Sequence, residues 1–221
     1  MSGTADAIPR GGIAPLNRLA DAIDFIMRWI GATTAWATLG CVLVVLTVVI
    51  LRYVFQLSST EVFGVEITLV RLQEVYLWWF HDVVLMIGAA FTLLVGGHVR
   101  VDIIYSRKSW RYRAWVDALG TLFLLWPMMA SVAWFSWDYV AKSWASQEQS
   151  FQAGGLPGLY LVKGLIIAFC VLMAIQGLSL LCRSASYLLS PPDEPEPVEP
   201  KPEEPEAVKT DAAPQATGEA A

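Results

Sequence analysis

The sequence predicts an all-α membrane protein with four transmembrane helices, and three observations support this fold class. The chain is 56% hydrophobic, and its apolar residues are concentrated in long runs at residues 29–51, 75–97, 114–137 and 159–181. A helix needs about 20 apolar residues to cross about 30 Å of hydrocarbon, so each run is long enough to span a membrane. None of the runs alternates polar and apolar residues, which favours helices over barrel strands.

Two polar segments flank this four-helix domain of residues 29–189. The N-terminal segment, residues 1–28, contains an amphipathic stretch at 14–28 that we expect to form a helix lying along the membrane interface. The first run is longer than a signal-peptide core, so we expect it to remain in the mature protein. The C-terminal segment, residues 190–221, is rich in proline and glutamate and is predicted to be disordered. The apolar positions of the amphipathic stretch are Leu16, Leu19, Ile23, Ile26 and Met27.

The distribution of lysine and arginine predicts that both termini are cytoplasmic. With four spans, the N-terminus, the loop between the second and third spans and the C-terminus share one side of the membrane. That side carries eleven lysine and arginine residues, and the opposite side carries four: Arg52, Arg71, Lys142 and Lys163. Cytoplasmic loops are the ones enriched in positive charge. The acidic pI of about 5.0 comes from the C-terminal segment, so it points to no substrate and no nucleic-acid partner.

Ionisable residues in or beside the spans are candidates for contact with another membrane subunit: Glu74, His81, Asp82 and Lys163. Charged groups inside a membrane are costly and usually have a protein or water partner. His81 and Asp82 lie about 9–10 Å below Val75 at 1.5 Å per residue, after the aromatic stretch YLWWF, which predicts a position just beneath the outer interface. Contact with another helix, interfacial solvation and a proton or ion relay all remain open for this pair. Lys163 also fits an amine that reaches the lipid headgroups.

The stretch GGHVRVDIIY, residues 96–105, ends the second span and at first resembles a catalytic or metal-binding cluster. Its charged residues fall among the basic residues of the predicted cytoplasmic loop, where they can meet anionic lipid headgroups. We therefore interpret the stretch as an anchor that fixes the topology, with its histidine as an interfacial hydrogen-bonding residue. The predicted anchor consists of His98, Arg100, Asp102, Arg107, Lys108, Arg111 and Arg113.

No signature of an enzyme active site appears in the sequence, so we expect a protein without catalytic activity. The chain has no GxSxG, Walker or HExxH motif, and its three cysteines lack metal-site spacing. The alternative is the membrane anchor subunit of a haem or quinone oxidoreductase complex. However, His81 and His98 lie 17 residues apart, about 25 Å along one helix, so they cannot clamp one haem, and a haem would need a single histidine with a methionine partner. We therefore expect no bound cofactor or metal.

Several short motifs together resemble a known transporter family. Gln73-Glu74 precede an aromatic-rich span that continues through Gly88-Ala89-Ala90 and ends in His98-Val99-Arg100-Val101-Asp102. With Arg52-Tyr53 after the first run and Gly154-Gly155-Leu156-Pro157 before the fourth, these motifs resemble the small membrane subunit of tripartite ATP-independent periplasmic (TRAP) transporters, the DctQ family. The resemblance extends over residues 20–187. The acidic tail and the long first outer loop depart from it.

The resemblance implies a scaffold subunit in the bacterial inner membrane that has no transport site of its own. Such a subunit pairs with a large, DctM-like membrane subunit that carries the substrate and sodium sites. A DctP-like periplasmic substrate-binding protein delivers an organic acid, often a carboxylate. Apart from membrane phospholipid, we expect no ligand on this chain. We expect the outer loops, residues 52–74 and 138–158, to help dock the binding protein. The charged candidates for docking are Glu61, Glu66, Arg71 and Glu148.

Overall fold

Four helices that are long and apolar enough to cross a membrane dominate the fold. The computed structural model describes residues 10–56, 59–62, 65–97, 109–152 and 155–191. The helices, called first to fourth below, are Ala14–Val54, Leu69–Leu94, Trp110–Ser146 and Leu159–Leu189. The prediction of an all-α membrane protein with four spanning helices is confirmed. Between the first and second helices lies a short antiparallel hairpin of β1 (Ser59–Val62) and β2 (Val65–Thr68).

Three of the four helices change locally from α-helical to π-helical hydrogen bonding. In the first, α1 (Ala14–Val49) ends in a π turn at Ile50–Val54. The second comprises α2 (Leu69–Glu74), a π segment at Val75–His81 and α3 (Asp82–Leu94). The third comprises α4 (Trp110–Gly120), a π segment at Thr121–Leu125 and α5 (Trp126–Ser146). The fourth is one uninterrupted helix, α6 (Leu159–Leu189).

The π segment of the third helix has a local cause in Pro127. Proline has no N–H to donate and its ring crowds the carbonyl four residues earlier, here that of Phe123. A π turn at Thr121–Leu125 widens the helix next to this point, so the chain continues as a helix instead of breaking. Ser109 caps the start of this helix, and its hydroxyl accepts a hydrogen bond from the Tyr112 N–H at 3.4 Å. It ends at Gln147, whose φ of 48° is the left-handed conformation typical of helix C-termini.

The fourth helix is the centre of the bundle. It packs against the first, second and third helices, and the third helix packs mainly against the fourth. The core cluster accordingly draws on all four helices: Ile23, Met27, Ala90, Met129, Cys170 and Met173. Burial of these side chains stabilises the bundle, but the cluster is small for a chain of 221 residues.

Many of the large apolar side chains lie on the outside of the bundle. Trp36 on the first helix is 74% exposed, and Trp134 and Phe135 on the third are 80% and 82% exposed. Continuous apolar surface of this extent is covered by lipid or by other membrane helices, not by water. The chain is a multi-pass membrane protein.

Both termini of the described chain lie at the same end of the bundle, as an even number of spans predicts. The Gly12 N–H donates to the Ser190 carbonyl at 2.8 Å, and the Ile13 N–H donates to the Ser186 hydroxyl at 3.3 Å. We call this the terminal end. The opposite end carries the hairpin and the segment between the third and fourth helices, residues 147–158, and we call it the loop end.

The helices are longer than the apolar runs that predict them. The second begins at Leu69 instead of residue 75, the third ends at Ser146 instead of 137, and the fourth ends at Leu189 instead of 181. The amphipathic stretch at 14–28 is helical as predicted, but it continues directly into the first span instead of forming a separate interfacial helix. The apolar-run criterion measures the hydrocarbon thickness only, and a helix continues beyond it wherever polar side chains find partners. Residues 1–9 and the tail after residue 191 lie outside the described residues.

Glycines allow the first and second helices to pack closely. A methyl group added at Gly31 would overlap the Phe91 ring, with even Cδ1 only 2.8 Å away, and one at Gly40 would overlap the Phe80 ring in the same way. Small residues that let helix backbones approach are typical of membrane helix interfaces. Gly31 and Gly40 are therefore used for packing within this chain.

Gly31→Ala is expected to lower the free energy of unfolding by about 1–3 kcal/mol, because the whole Phe91 ring must move to admit the methyl group. The measurement is thermal unfolding of the purified protein in detergent. Gly120→Ala is the matched control, since no atom lies within 4 Å of an added Cβ there. Alanine favours a helix over glycine by about 0.5–1 kcal/mol, so the control should melt at or above the wild-type temperature. Equal melting of the two variants would contradict the packing argument.

Candidate functional site

At the loop end, the side chain of Glu74 holds the 147–158 segment against the second helix. Glu74 is the last residue of α2 and is only 3% exposed. Its carboxylate accepts hydrogen bonds from the Ser150 hydroxyl and, at 2.5 Å, from the Leu156 N–H. A Cβ on Gly155 would lie 2.8 Å from Glu74 Oε2, so glycine is needed where the segment crosses the carboxylate. Hydrogen bonds to a charged acceptor are the stronger ones, and two of them converge here.

A second polar cluster at the loop end is centred on Lys163, in the first turns of α6. Its ammonium forms an ion pair with Glu148 and lies 4.1 Å from the centroid of the Tyr139 ring. The side chains of Lys163 and Glu148 are 12% and 21% exposed. The hydrogen bond from Lys163 holds the pKa of Glu148 below its ordinary value. The ion pair therefore ties the segment after the third helix to the start of the fourth.

Glu74, Lys163 and Glu148 thus have partners inside the chain, and this differs from the sequence analysis. From the sequence, Glu74 and Lys163 are candidates for contact with another subunit, and Glu148 is a candidate for docking. The structure places Glu74 and Lys163 under the chain's own 147–158 segment. Their partners are 82 and 15 residues away in sequence, which local patterns do not reveal.

The Glu148–Lys163 contact predicts an acid-sensitive loop end. A carboxyl whose pKa is lowered by folding contributes stability that is complete above its unfolded value and is lost as the pH falls through its folded value. In wild-type protein, amide exchange within residues 148–157 should therefore rise on acidification below about pH 4.3, the ordinary glutamate value. Glu148→Gln removes the titrating group, so it should show raised exchange at neutral pH and no further step on acidification. An unchanged acid step in Glu148→Gln would contradict the assignment.

His81 and Asp82 lie halfway along the second helix and on its outer side. Asp82 is thirteen residues after Leu69 and twelve before Leu94. His81 is exposed and Asp82 partly exposed in the isolated chain. The ring contact of His81 is with Tyr76, at 6.3 Å between centroids on the same helix. The helix begins six residues before the apolar run does, and the position of the pair relative to the membrane interface stays a prediction.

At the terminal end, a buried polar network joins the first and fourth helices. Asp24, 5% exposed, accepts hydrogen bonds from Ser179 at 2.6 Å and Gln176 at 3.2 Å and forms an ion pair with Arg183. Arg183 also pairs with Asp21 at 3.0 Å. Neither Arg183 nor Asp24 is among the candidate residues predicted from the sequence. The available signal is that Asp24 adjoins Ile23 and lies one turn from Ala20 and Met27 on a buried face, where an unpaired carboxylate would be costly.

A comparison with protein families identifies the family of this chain. A family model described as "Tripartite ATP-independent periplasmic transporters, DctQ component" matches residues 41–186, more than half of the chain. The chain belongs to the DctQ family. No curated protein and no solved structure matches it. The match confirms the family that the sequence motifs resemble, and DctQ proteins are components of a tripartite transport system.

The matched region of this DctQ protein contains the whole loop-end cluster but only part of the terminal-end network. Glu74, Glu148 and Lys163 fall inside residues 41–186, as does Arg183. Asp21 and Asp24 precede the match. The first half of the first helix therefore contributes contacts that the family match does not describe.

The predicted topology anchor of this DctQ protein is described only at its C-terminal side. Arg111 is exposed, in keeping with a position at lipid headgroups. Arg113 is 4% exposed, and its guanidinium lies 4.6 Å from the centroid of the Trp110 ring, so it packs within the chain. The remaining anchor residues lie outside the described residues: His98, Arg100, Asp102, Arg107 and Lys108.

Membership of the DctQ family also bears on the alternative function. DctQ is a transporter component and not an enzyme family, and the match does not support the alternative of a haem or quinone oxidoreductase anchor. Within the described part of the chain, no group of three histidine, cysteine, aspartate or glutamate side chains is placed to hold a metal ion.

Proposed function

We propose that this DctQ protein is the static scaffold subunit of a sodium-coupled TRAP transporter that imports an organic acid, in particular a carboxylate. The proposal rests chiefly on the family match over residues 41–186. In this proposal a DctM-like large membrane subunit carries the substrate and sodium sites. A DctP-like periplasmic protein delivers the substrate.

The packing of the chain supports a scaffold role. The polar clusters within the described residues lie at the two ends of the bundle, and each joins neighbouring elements of the chain through ion pairs and hydrogen bonds. Such contacts stiffen a bundle and leave it unsuited to the large internal motion of a transport path. The exposed apolar sides of the first and third helices offer area for packing against a larger membrane protein.

We further propose that the terminal end faces the cytoplasm of a bacterial cell and the loop end the periplasm. Basic residues support this orientation, because cytoplasmic ends of membrane helices are enriched in lysine and arginine. The terminal end carries Arg10, Arg18, Arg28, Arg111, Arg113 and Arg183 among the described residues. The loop end carries Arg52, Arg71, Lys142 and Lys163.

Affinity purification followed by reconstitution tests the proposed function. A tagged copy of the chain, purified from its native membrane in mild detergent, should bring down a large multi-span protein. Reconstituted in liposomes, the pair should take up an organic acid only when a periplasmic binding protein and an inward sodium gradient are both supplied. Full uptake by the large subunit and binding protein without this chain would overturn the proposal, as would recovery of the chain alone.

Docking of the binding protein at the loop end is tested by charge reversal. Glu61 and Glu66 lie opposite each other in the hairpin register. Arg71 follows in α2, and its side chain is partly buried. Glu61→Lys and Glu66→Lys are expected to reduce uptake severalfold by weakening docking, while recovery of the membrane complex stays unchanged. The neutral changes Glu61→Gln and Glu66→Gln should have smaller effects. Glu148 is unsuitable for this test because its reversal also breaks the ion pair with Lys163. Wild-type uptake in both reversal variants would argue against docking at the hairpin.

A further inference from the structure

The contact between the first and second helices gives the depth of His81 and Asp82 in the membrane. Gly40 packs against the Phe80 ring. Gly40 is the middle residue of the apolar run 29–51, which is bounded by Arg28 and Arg52. Phe80 therefore lies level with the midpoint of that run, and His81 and Asp82 follow it directly. Asp82 also lies at the centre of the 26-residue second helix. Each end of the helix is about 18–20 Å away at 1.5 Å per residue.

The chain does not satisfy this polar pair by itself. His81 is exposed, and within the described residues no side chain forms an ion pair with Asp82 or donates a hydrogen bond to it. Trp79 and Leu85, within one turn of the pair, are 45% and 57% exposed, so the same side of the helix is open to its surroundings. Asp24, by contrast, has Arg183, Ser179 and Gln176 around its carboxylate.

Lipid cannot provide the missing partner of Asp82 at the centre of the membrane. Acyl chains offer no hydrogen-bond donor, and headgroups and water lie beyond the reach of an aspartate side chain at this depth. Ionisable residues in membrane spans accordingly face a protein or a water-filled cavity. The pair also lies apart from the loop-end and terminal-end clusters, so neither of them can cover it.

We infer that the side of the second helix carrying His81 and Asp82 packs against a helix of the large membrane subunit, which presents a cationic or hydrogen-bond-donating side chain at mid-membrane depth. This inference rests on the proposed function for the identity of the partner. The chemistry of the partner side chain follows from the pair itself, because a carboxylate at this depth requires a hydrogen-bond donor. A second copy of this chain is the other protein occupant, and it would bring another aspartate to the same depth.

Photo-crosslinking in the intact complex tests where the partner lies. A benzophenone amino acid replaces Leu85, which leaves His81 and Asp82 in place. The matched control replaces Phe135, an 82% exposed residue of the third helix, on the other side of the fourth. Phe135 is about midway between Trp126 and Trp144, whose side chains reach Gly177 and Gly164, near the two ends of the apolar run 159–181. Crosslinks from position 85 to the large subunit, at higher yield than from 135, are expected. Lipid adducts alone, a crosslink to a second copy, or no excess over position 135 would overturn the inference.

Substitution of Asp82 tests the chemistry of the contact. Asp82→Leu should weaken association with the large subunit about three- to fifteen-fold, the range measured for hydrogen bonds between membrane helices. Asp82→Asn keeps an acceptor and should lose less. The chain purified alone should melt no lower with Asp82→Leu than without it, which separates a contact between subunits from a structural role. Unchanged association with Asp82→Leu overturns the inference.

The outcomes distinguish this inference from the proposed function. If the large subunit copurifies but its crosslinks come from another side of the bundle, the proposed scaffold function is retained. The placement of the contact on the second helix is then wrong. If no large subunit copurifies with the wild-type chain, both fall together.

Discussion

Replacing Arg183 by leucine is expected to lower the free energy of unfolding by about 3 kcal/mol, one of the two largest effects of a single substitution in this chain. The side chain of Asp24 is 7% exposed and would keep its charge with only the neutral donors Ser179 and Gln176 beside it. Loss of one partner from a buried ion pair costs about 3–5 kcal/mol, and the lower end applies because the Arg183 side chain is 26% exposed. Thermal or denaturant unfolding in micelles measures the change.

Two further variants isolate the unpaired carboxylate as the cause. Arg18→Leu removes the same charge from an exposed position at the same end and should change stability little. The double variant Asp24→Leu/Arg183→Leu removes both charges and should recover most of the lost stability, because two apolar side chains replace the pair. Asp21 remains hydrated in that variant, since its side chain is 42% exposed. A double variant as unstable as Arg183→Leu alone would contradict this explanation.

Glu74→Leu is expected to release the 147–158 segment from the second helix. The Leu156 N–H would lose its acceptor, and the Ser150 hydroxyl would lose a charged one. Hydrogen bonds to charged groups contribute about 1.5–3 kcal/mol each, so a local loss of about 3–6 kcal/mol is expected for the two bonds together. Hydrogen–deuterium exchange at the Leu156 amide should rise correspondingly, while exchange in the centre of the fourth helix stays unchanged.

A graded series tests whether the carboxylate of Glu74 is what matters. Glu74→Gln should lose less than Glu74→Leu, because the amide oxygen can accept from the Leu156 N–H and the amide nitrogen can donate to the Ser150 hydroxyl. Gln73→Leu is the matched control, since Gln73 is the exposed neighbour on the same turn. Equal exchange in Glu74→Gln and Glu74→Leu would argue against this role of the oxygen acceptor.

The two clusters together give the proposed scaffold role a physical basis. Arg183 and Asp24 join the first and fourth helices at the terminal end, and Lys163 and Glu148 tie the exit of the third helix to the start of the fourth at the loop end. Glu74 adds the second helix to the same loop. The fourth helix, which contacts the other three, is thereby held near both of its ends. A subunit held in this way can serve as a fixed support for a moving partner.

The number and type of helices could be predicted because each depends on a local property of the chain. An apolar run of about 20 residues must satisfy its backbone internally in lipid, and a helix does so without reference to the rest of the fold. Helix ends could not be predicted equally well. The six residues that extend the second helix to Leu69 end at Glu74, and they are held by a loop that begins more than 70 residues later.

The candidate site could likewise be predicted only in part from the sequence. His81 and Asp82 could be selected from the sequence because ionisable residues stand out in an apolar run, but their depth depended on the contact between Gly40 and Phe80. Glu74 and Lys163 could be selected as well. However, their partners Ser150, Leu156 and Glu148 belong to a loop whose path no periodicity encodes.

The sequence by itself determined that this protein has four membrane-spanning helices, with the start of the first and the end of the fourth on one side, and its motifs pointed to the DctQ family. Only the tertiary structure decided which polar residues bind each other within the chain and which are left exposed on its outer side. Asp24 and Arg183 are 159 residues apart in the chain and in contact in the fold. The rotation of each helix about its axis determines such contacts, and that rotation results from the packing of all four helices at once.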